Sequence, residues 1–163
     1  MTDGSCGGDG TISTADQAAA AALLARIAIA QDEHDWETLT DCFEPDAAYE
    51  HPGGRMTGRD AIVARSRRAL DRLDASQHLI GTITVTPDGD GSLATTSYFQ
   101  AQHVRHGCPG GDLYTIAGTY RDQLIRRNGT WRVAHRAQSY TWRQGNPAVT
   151  ARPGETSGSG ASA

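Results

Sequence analysis

Apolar residues recur with two different periods along this chain, and the change falls close to residue 75. Before it the spacing is helical. Leu23, Leu24 and Ile27 stand among alanines from 14 to about 31, and Ser13 or Thr14 is placed to cap that helix. So many alanines allow close packing against a sheet. Asp32-Glu33-His34-Asp35 interrupts the pattern, and Asp35 is placed to cap a short second helix through Trp36, Leu39 and Phe43, which Pro45 ends. Residues 47–51 read as a short strand and Pro52-Gly53-Gly54 as a turn. A third helix is predicted over 58–73, with Ile62, Ala69, Leu70 and Leu73 inward and Arg65, Arg67 and Arg68 on the solvated side.

From Ala75-Ser76-Gln77-His78-Leu79-Ile80 onward the period becomes two. Strands are predicted over 77–86, 93–106, 114–127 and 130–142. They are separated by Pro87-Asp88-Gly89-Asp90-Gly91, by a Gly/Pro loop at 107–111, and by Asn128-Gly129, a strong hairpin signal. Helices first and a long meander afterwards make the fold class α+β. The expected architecture is a cone-shaped α+β barrel, in which three N-terminal helices pack on a strongly curved, mainly antiparallel sheet that encloses a pocket. Residues 1–12 and 146–163 are rich in Gly, Ser, Thr and Pro and read as flexible tails around a single domain at 13–145.

Composition narrows the function. A chain of 163 residues has room for one core and an internal cavity. The net charge of -4, with Arg mixed among Asp and Glu, offers no basic face for nucleic acid. No apolar run approaches the roughly 20 residues that span a bilayer, and the first eleven residues lack a signal-peptide pattern, so a cytoplasmic protein without membrane contact is expected. Cys6, Cys42 and Cys108 form no even or close-spaced set and read as free thiols. No Gly-rich phosphate cradle follows a strand, so no nucleotide is implied, and no cofactor is expected. There is no Gly-x-Ser-x-Gly elbow either. His103-x-x-His106-x-Cys108 invites a metal reading, but an extended strand puts the two histidines on opposite faces, and no metal is expected.

The remaining candidate chemistry is acid–base. His78, at the start of the sheet with Leu79 and Ile80 behind it, suits the floor of a pocket, and Asp32 near the end of the first helix is its best partner. A carboxylate holding one ring nitrogen fixes the tautomer and stabilises the imidazolium, so the other nitrogen can take a proton next to a carbonyl or leaving group. The alternative is a satisfied core histidine beside a helix-ending aspartate. Alternation places Phe99, Ala101, His103 and Arg105 on one face; if Phe99 and Ala101 face the cavity, His103 does too, where it could protonate a leaving hydroxyl or hold a substrate oxygen. Tyr49 alternates with Ala47 and His51 and could polarise a carbonyl, though packing is the commoner use of a buried Tyr. Trp36, Trp131 and Trp142, with Phe43 and Tyr98, read as core or pocket wall. Arg136 and Arg143 could reach the pocket mouth, whereas His34, His51 and His135 have no convincing partners. Trp36, Phe99, Ala101 and Arg143 are the expected substrate contacts.

Taken with the order of elements, Asp32-x-x-Asp35-Trp36-Glu37, Phe43-x-x-Asp46-Ala47, Gln77-His78-Leu79, Tyr120-Arg121-Asp122 and Arg127-Asn128-Gly129-x-Trp131-Arg132-Val133 carry a resemblance. Over about 14–143 the chain resembles the nuclear-transport-factor-2-like superfamily, and within it the SnoaL-like branch that includes scytalone dehydratase and the hexachlorocyclohexane dehydrochlorinase. The resemblance implies a catalytic Asp32–His78 dyad, a second pocket histidine at His103 and a pocket tyrosine at Tyr49. A Tyr common in the first helix of these enzymes is absent, with Ile27 and Gln31 in that neighbourhood. The implied activity is a cofactor-free, dehydratase-type lyase of secondary metabolism acting on a small hydroxy-carbonyl, polyketide-like or aromatic compound. The same base could run an isomerisation or an aldol-type cyclisation. An association or small-molecule-binding subunit, like the β subunits of ring-hydroxylating dioxygenases, is the rival of another kind. Exposed sheet, with Tyr114, Ile116 and Leu124 among the contacts, makes a homodimer or homotrimer the expected assembly.

Overall fold

A computed structural model describes residues 11–151. Helix α1 (Thr14–Asp32) begins at Ser13, whose Oγ accepts the Asp16 N–H at 3.0 Å. It turns Ala20, Leu23, Leu24, Ile27 and Ala30 inward, the stripe its sequence spacing requires. Asp35 caps α2 (Trp36–Asp41) by accepting the Thr38 N–H at 3.0 Å.

Strand β1 (Phe43–His51) starts at Phe43 rather than at 47, so Phe43 belongs to the sheet and Pro45 ends no helix. Pro45 is tolerated because it lies in the irregular stretch between the Phe43 and Ala48 pairings, where a missing N–H removes no ladder bond. After the turn, β2 (Gly54–Thr57) folds back on β1, a strand too short and polar to show in the sequence. Helix α3 (Arg59–Leu70) follows, ending before Leu73, which stays buried.

The long strands are β3 (Ala75–Pro87), β4 (Leu93–Val104), β5 (Leu113–Arg127) and β6 (Thr130–Gly145). The sheet order is β2-β1-β6-β5-β4-β3. Every neighbouring pair is antiparallel except β1 and β6, which run parallel, so the sheet is mixed and is open along β2 and β3. Asn128 and Gly129, at φ 50° and 81°, make the tight β5–β6 turn. Register shifts after Gly81, Ala117 and Gln123 bend the long strands into the cone-like form. Helix α1 lies on β3 and α3 on β1, closing the concave face.

Leu23, Ile27, Leu39, Phe43, Leu124 and Val133 centre the main core, and Leu70, Leu73, Cys108, Tyr114 and Val149 form a second cluster. Val149 sits in a 3-10 turn, Pro147–Val149, and is fully buried; Ile12 packs on the main core. Both lie in segments expected to be flexible tails, and apolar burial is what holds them. The rest of both tails, with Cys6, lies outside the described residues, while Cys42 and Cys108 are free and buried. Tyr114, Ile116 and Leu124 do not form an outer face: they point into the concave side, and Leu124 is fully buried. Exposed instead are Leu79, Tyr98 and Trp142, so Tyr98 and Trp142 are not core. No helix among the described residues is long and apolar enough to cross a membrane.

Candidate active site

Helix α1 ends at Asp32 over the first residues of β3, where Ser76, His78 and Ile80 alternate toward the concave face. The Asp32 carboxylate is held at three points. His78 Nδ1–H donates to Oδ1 at 2.6 Å, the His78 backbone N–H to Oδ2 at 2.7 Å, and the Ser76 hydroxyl to Oδ1 at 2.8 Å. Burial pushes the Asp32 carboxyl up, but the hydrogen bonds and charge from His78, with the Ser76 hydroxyl, outweigh it and hold the carboxyl below its usual range. Because a carboxylate can only accept, Nδ1 carries the ring proton and the Nε2 lone pair is left for chemistry. The His78 side chain is 6% exposed. The two residues expected to pair are therefore in contact.

His103 pairs across β4 with Ser76, and its ring meets that of His78 edge-on at 5.9 Å. Its Nδ1–H donates to the Tyr114 carbonyl at 3.1 Å. Burial, then the neighbouring His78, pulls the His103 pKa down to about 4. It is a neutral ring whose Nε2 accepts a hydrogen bond, rather than a ready proton donor.

Both histidines line a cavity of about 220 Å³, below the roughly 300–1,000 Å³ of sites for drug-sized ligands. Such a space suits a one-ring or short-chain compound. Phe99 and Ala101 line it as alternation predicts, with Ile116, Ala69 and Leu70 as further apolar wall. Tyr49, Tyr120, Gln138 and Tyr140 make the polar wall. Tyr49 donates its hydroxyl proton to Gln138 Oε1, and Gln138 Nε2–H donates to the Tyr120 oxygen at 3.4 Å. The Tyr120 hydroxyl proton thus has no acceptor among the described residues. Burial pushes Tyr49 up to about 12 and Tyr120 higher still, so both phenols stay protonated.

Beneath this wall, Arg136 grips Asp122 through Nε and Nη2 at 2.6 and 2.9 Å and lies 4.2 Å from the centre of the Tyr120 ring. Arg136 is buried in this pair and does not reach the pocket mouth. Arg143 does not line the cavity either: it is exposed on an outer groove, stacked 4.8 Å above Tyr140. Trp36, the other expected contact that is not a lining residue, packs between the two apolar clusters and stacks on His34. His51 accepts the Gly53 N–H, His135 lies 3.4 Å from Glu50, and His106 lies 3.5 Å from Asp112. No group of three potential metal ligands occurs among the described residues.

Sequence reading missed Gln31, Arg65, Ser66, Tyr120 and Gln138 as lining residues, and Ser76 as a partner of Asp32. For Tyr120 a signal existed. Period-two alternation joins it to Tyr114 and Ile116, but alternation alone does not say which side faces inward, and this face is the concave one. For Arg65 it was hidden: the residue lies one turn before Ala69 on a cavity-lining face, yet reads as part of a solvated Arg65, Arg67, Arg68 cluster.

The model of the SnoaL-like domain family matches residues 13–137. A terrestric acid biosynthesis cluster protein from Penicillium crustosum is 28% identical over 145 residues, covering 85% of this chain and 92% of the relative. Among solved structures, a protein from Novosphingobium aromaticivorans provisionally described as a scytalone dehydratase superposes with TM-score 0.73 at 19% identity, over 81% of this chain and 88% of the other. A type 2 hexachlorocyclohexane dehydrochlorinase, LinA, gives TM-score 0.72 at 16% identity, over 87% and 96% of the two chains. With its cone-like α+β fold and a family match over most of its length, this chain belongs to the SnoaL-like domain family.

Proposed function

We propose that the chain is a cofactor-independent lyase of the dehydratase type, in which His78 is the base and Asp32 orients it. The observation that carries this reading is the His78 Nε2 lone pair, left free by the 2.6 Å bond from Nδ1 to Asp32 and facing a small cavity. The substrate is a β-hydroxy carbonyl compound of one ring or a short chain. His78 Nε2 takes the proton from the carbon next to the carbonyl, and the C–H electrons move onto the carbonyl oxygen. The resulting enolate is stabilised by the Tyr120 hydroxyl proton, with Tyr49 and Gln138 ordering that wall. His103 accepts a hydrogen bond from the leaving hydroxyl. As the carbonyl re-forms, the C–O bond breaks, and the His78 Nε2–H proton goes to the departing oxygen as water, returning His78 to its neutral form.

The names of two structural neighbours fit an elimination: a dehydrochlorinase removes hydrogen chloride from its substrate, and a dehydratase removes water. The similarity to a biosynthesis cluster protein supports a secondary-metabolite substrate. If no hydroxyl stands β to the carbonyl, the same proton returns to carbon and the outcome is isomerisation or, with an internal electrophile, cyclisation.

One-ring β-hydroxy ketones incubated in D₂O and followed by NMR test the reading. The wild type should form the enone and place deuterium next to the carbonyl, and His78→Ala should lose both by about 100-fold or more. Deuterium uptake without water loss would favour the isomerase reading. Equal rates for wild type and His78→Ala would remove the dyad from the mechanism.

A further inference from the structure

Arg65 lines the cavity from α3, its guanidinium 5.3 Å above the ring of Tyr49. It forms no ion pair and no side-chain hydrogen bond with any described residue, whereas Arg67, Arg126, Arg127, Arg132 and Arg136 each have a carboxylate within 4.0 Å. No carboxylate lines the cavity, and the two nearest the site are already engaged: Asp32 by Ser76 and His78, Asp122 by Arg136. Arg65 is therefore the one lining residue that is charged at all pH values of interest. A guanidinium that is held by stacking and left with all its N–H donors free is arranged to grip an oxygen anion in the fork geometry.

We propose that Arg65 is a substrate-binding residue and that the ligand of this cavity carries one negatively charged oxygen group, a carboxylate or an ionised enol. The proposal rests on the cavity being the substrate site, as the proposed function has it, but not on His78 being the base. Stacking on Tyr49 fixes the Arg65 end of the cavity, while the His78 and His103 rings fix the other polar groups, so the anion sets which end of the substrate meets the base. A neutral compound of the same shape would leave the guanidinium unpaired and would bind more weakly.

Calorimetric titration with matched probes tests this without any turnover. Salicylate against salicylamide reads the carboxylate, and 4-hydroxy-6-methyl-2-pyrone against its methyl ether reads the ionised enol, each at neutral pH on the full chain. The wild type should bind at least one anionic member about tenfold or more tightly than its neutral partner, and the arm that shows the preference names the anion. Arg65→Gln should bring that ratio close to one, Arg65→Lys should keep part of it, and thermal melts should confirm that both variants fold. His78→Ala should keep the ratio, which separates this proposal from the dyad. The proposal is overturned by equal affinities in both arms, including no measurable binding of any probe by the wild type at 20 mM, or by a preference that survives in Arg65→Gln.

Discussion

At Asp32 the carboxylate accepts three hydrogen bonds from two residues of β3, and only one of them sets the chemistry. An amide at this position keeps one acceptor oxygen, which the His78 backbone N–H requires, and turns its NH₂ toward the ring, favouring the His78 tautomer with Nε2 protonated. Asp32→Asn is thus expected to lower turnover by about 10³–10⁴-fold, the order seen when a triad aspartate is made an amide, with little change in the fold by circular dichroism. Ser76→Ala removes one of the three bonds and leaves the tautomer in place. It should cost about 1 kcal/mol of stability by urea unfolding and less than tenfold in rate. On the opposite wall, Tyr120→Phe removes the hydroxyl whose proton has no acceptor among the described residues, and keeps the ring stacked on Phe99 at 4.4 Å. The expected outcome is a loss of about 10²-fold in kcat with a nearly unchanged melting temperature.

The elements place these groups through strand pairing. His78 and Ser76 face Ala101 and His103 across β3 and β4, so one strand's alternation brings in the other's. The turn at Asn128-Gly129 and the cap at Ser13 were legible because each depends on neighbours within four residues. The start of β1 was not, because Phe43 joins the sheet through Val133, far along the chain. The β5–β6 pairing also carries a tight point. A methyl on Gly118 would overlap the Ser139 carbonyl oxygen and touch Phe99 at 3.0 Å, and the oxygen is backbone, so the two strands would have to part. Gly118→Ala should therefore destabilise the protein by more than about 2 kcal/mol in urea unfolding and disturb the cavity wall built on Phe99 and Tyr120.

For the whole molecule, burying His103 ties stability to acidity. Its folded pKa of about 4 lies below the 6.5 of an exposed histidine, so between these values the unfolded chain binds a proton that the folded chain does not. Stability is then fully present above about pH 6.5 and falls as the pH drops toward 4, by about 3 kcal/mol if the whole difference is felt. The lowered Asp32 carboxyl adds a loss of the same sign at still lower pH. Urea midpoints measured at pH 7, 6 and 5 should fall steadily in the wild type, and His103→Gln should flatten that fall.

Periods, caps and turn residues are properties of adjacent side chains, and they determined the three helices, the four long strands and the residues that share each strand's face. The family motifs paired Asp32 with His78, and alternation from Phe99 carried His103 with them. Only the tertiary structure decided which face of β5 turned inward, that β1 runs parallel to β6, and that Val149 closes the second cluster. It alone placed Arg65 on the cavity and Arg136 beneath it. Local spacing states which residues lie together on a surface, but which surface is buried depends on what packs over it, and that partner is distant in sequence.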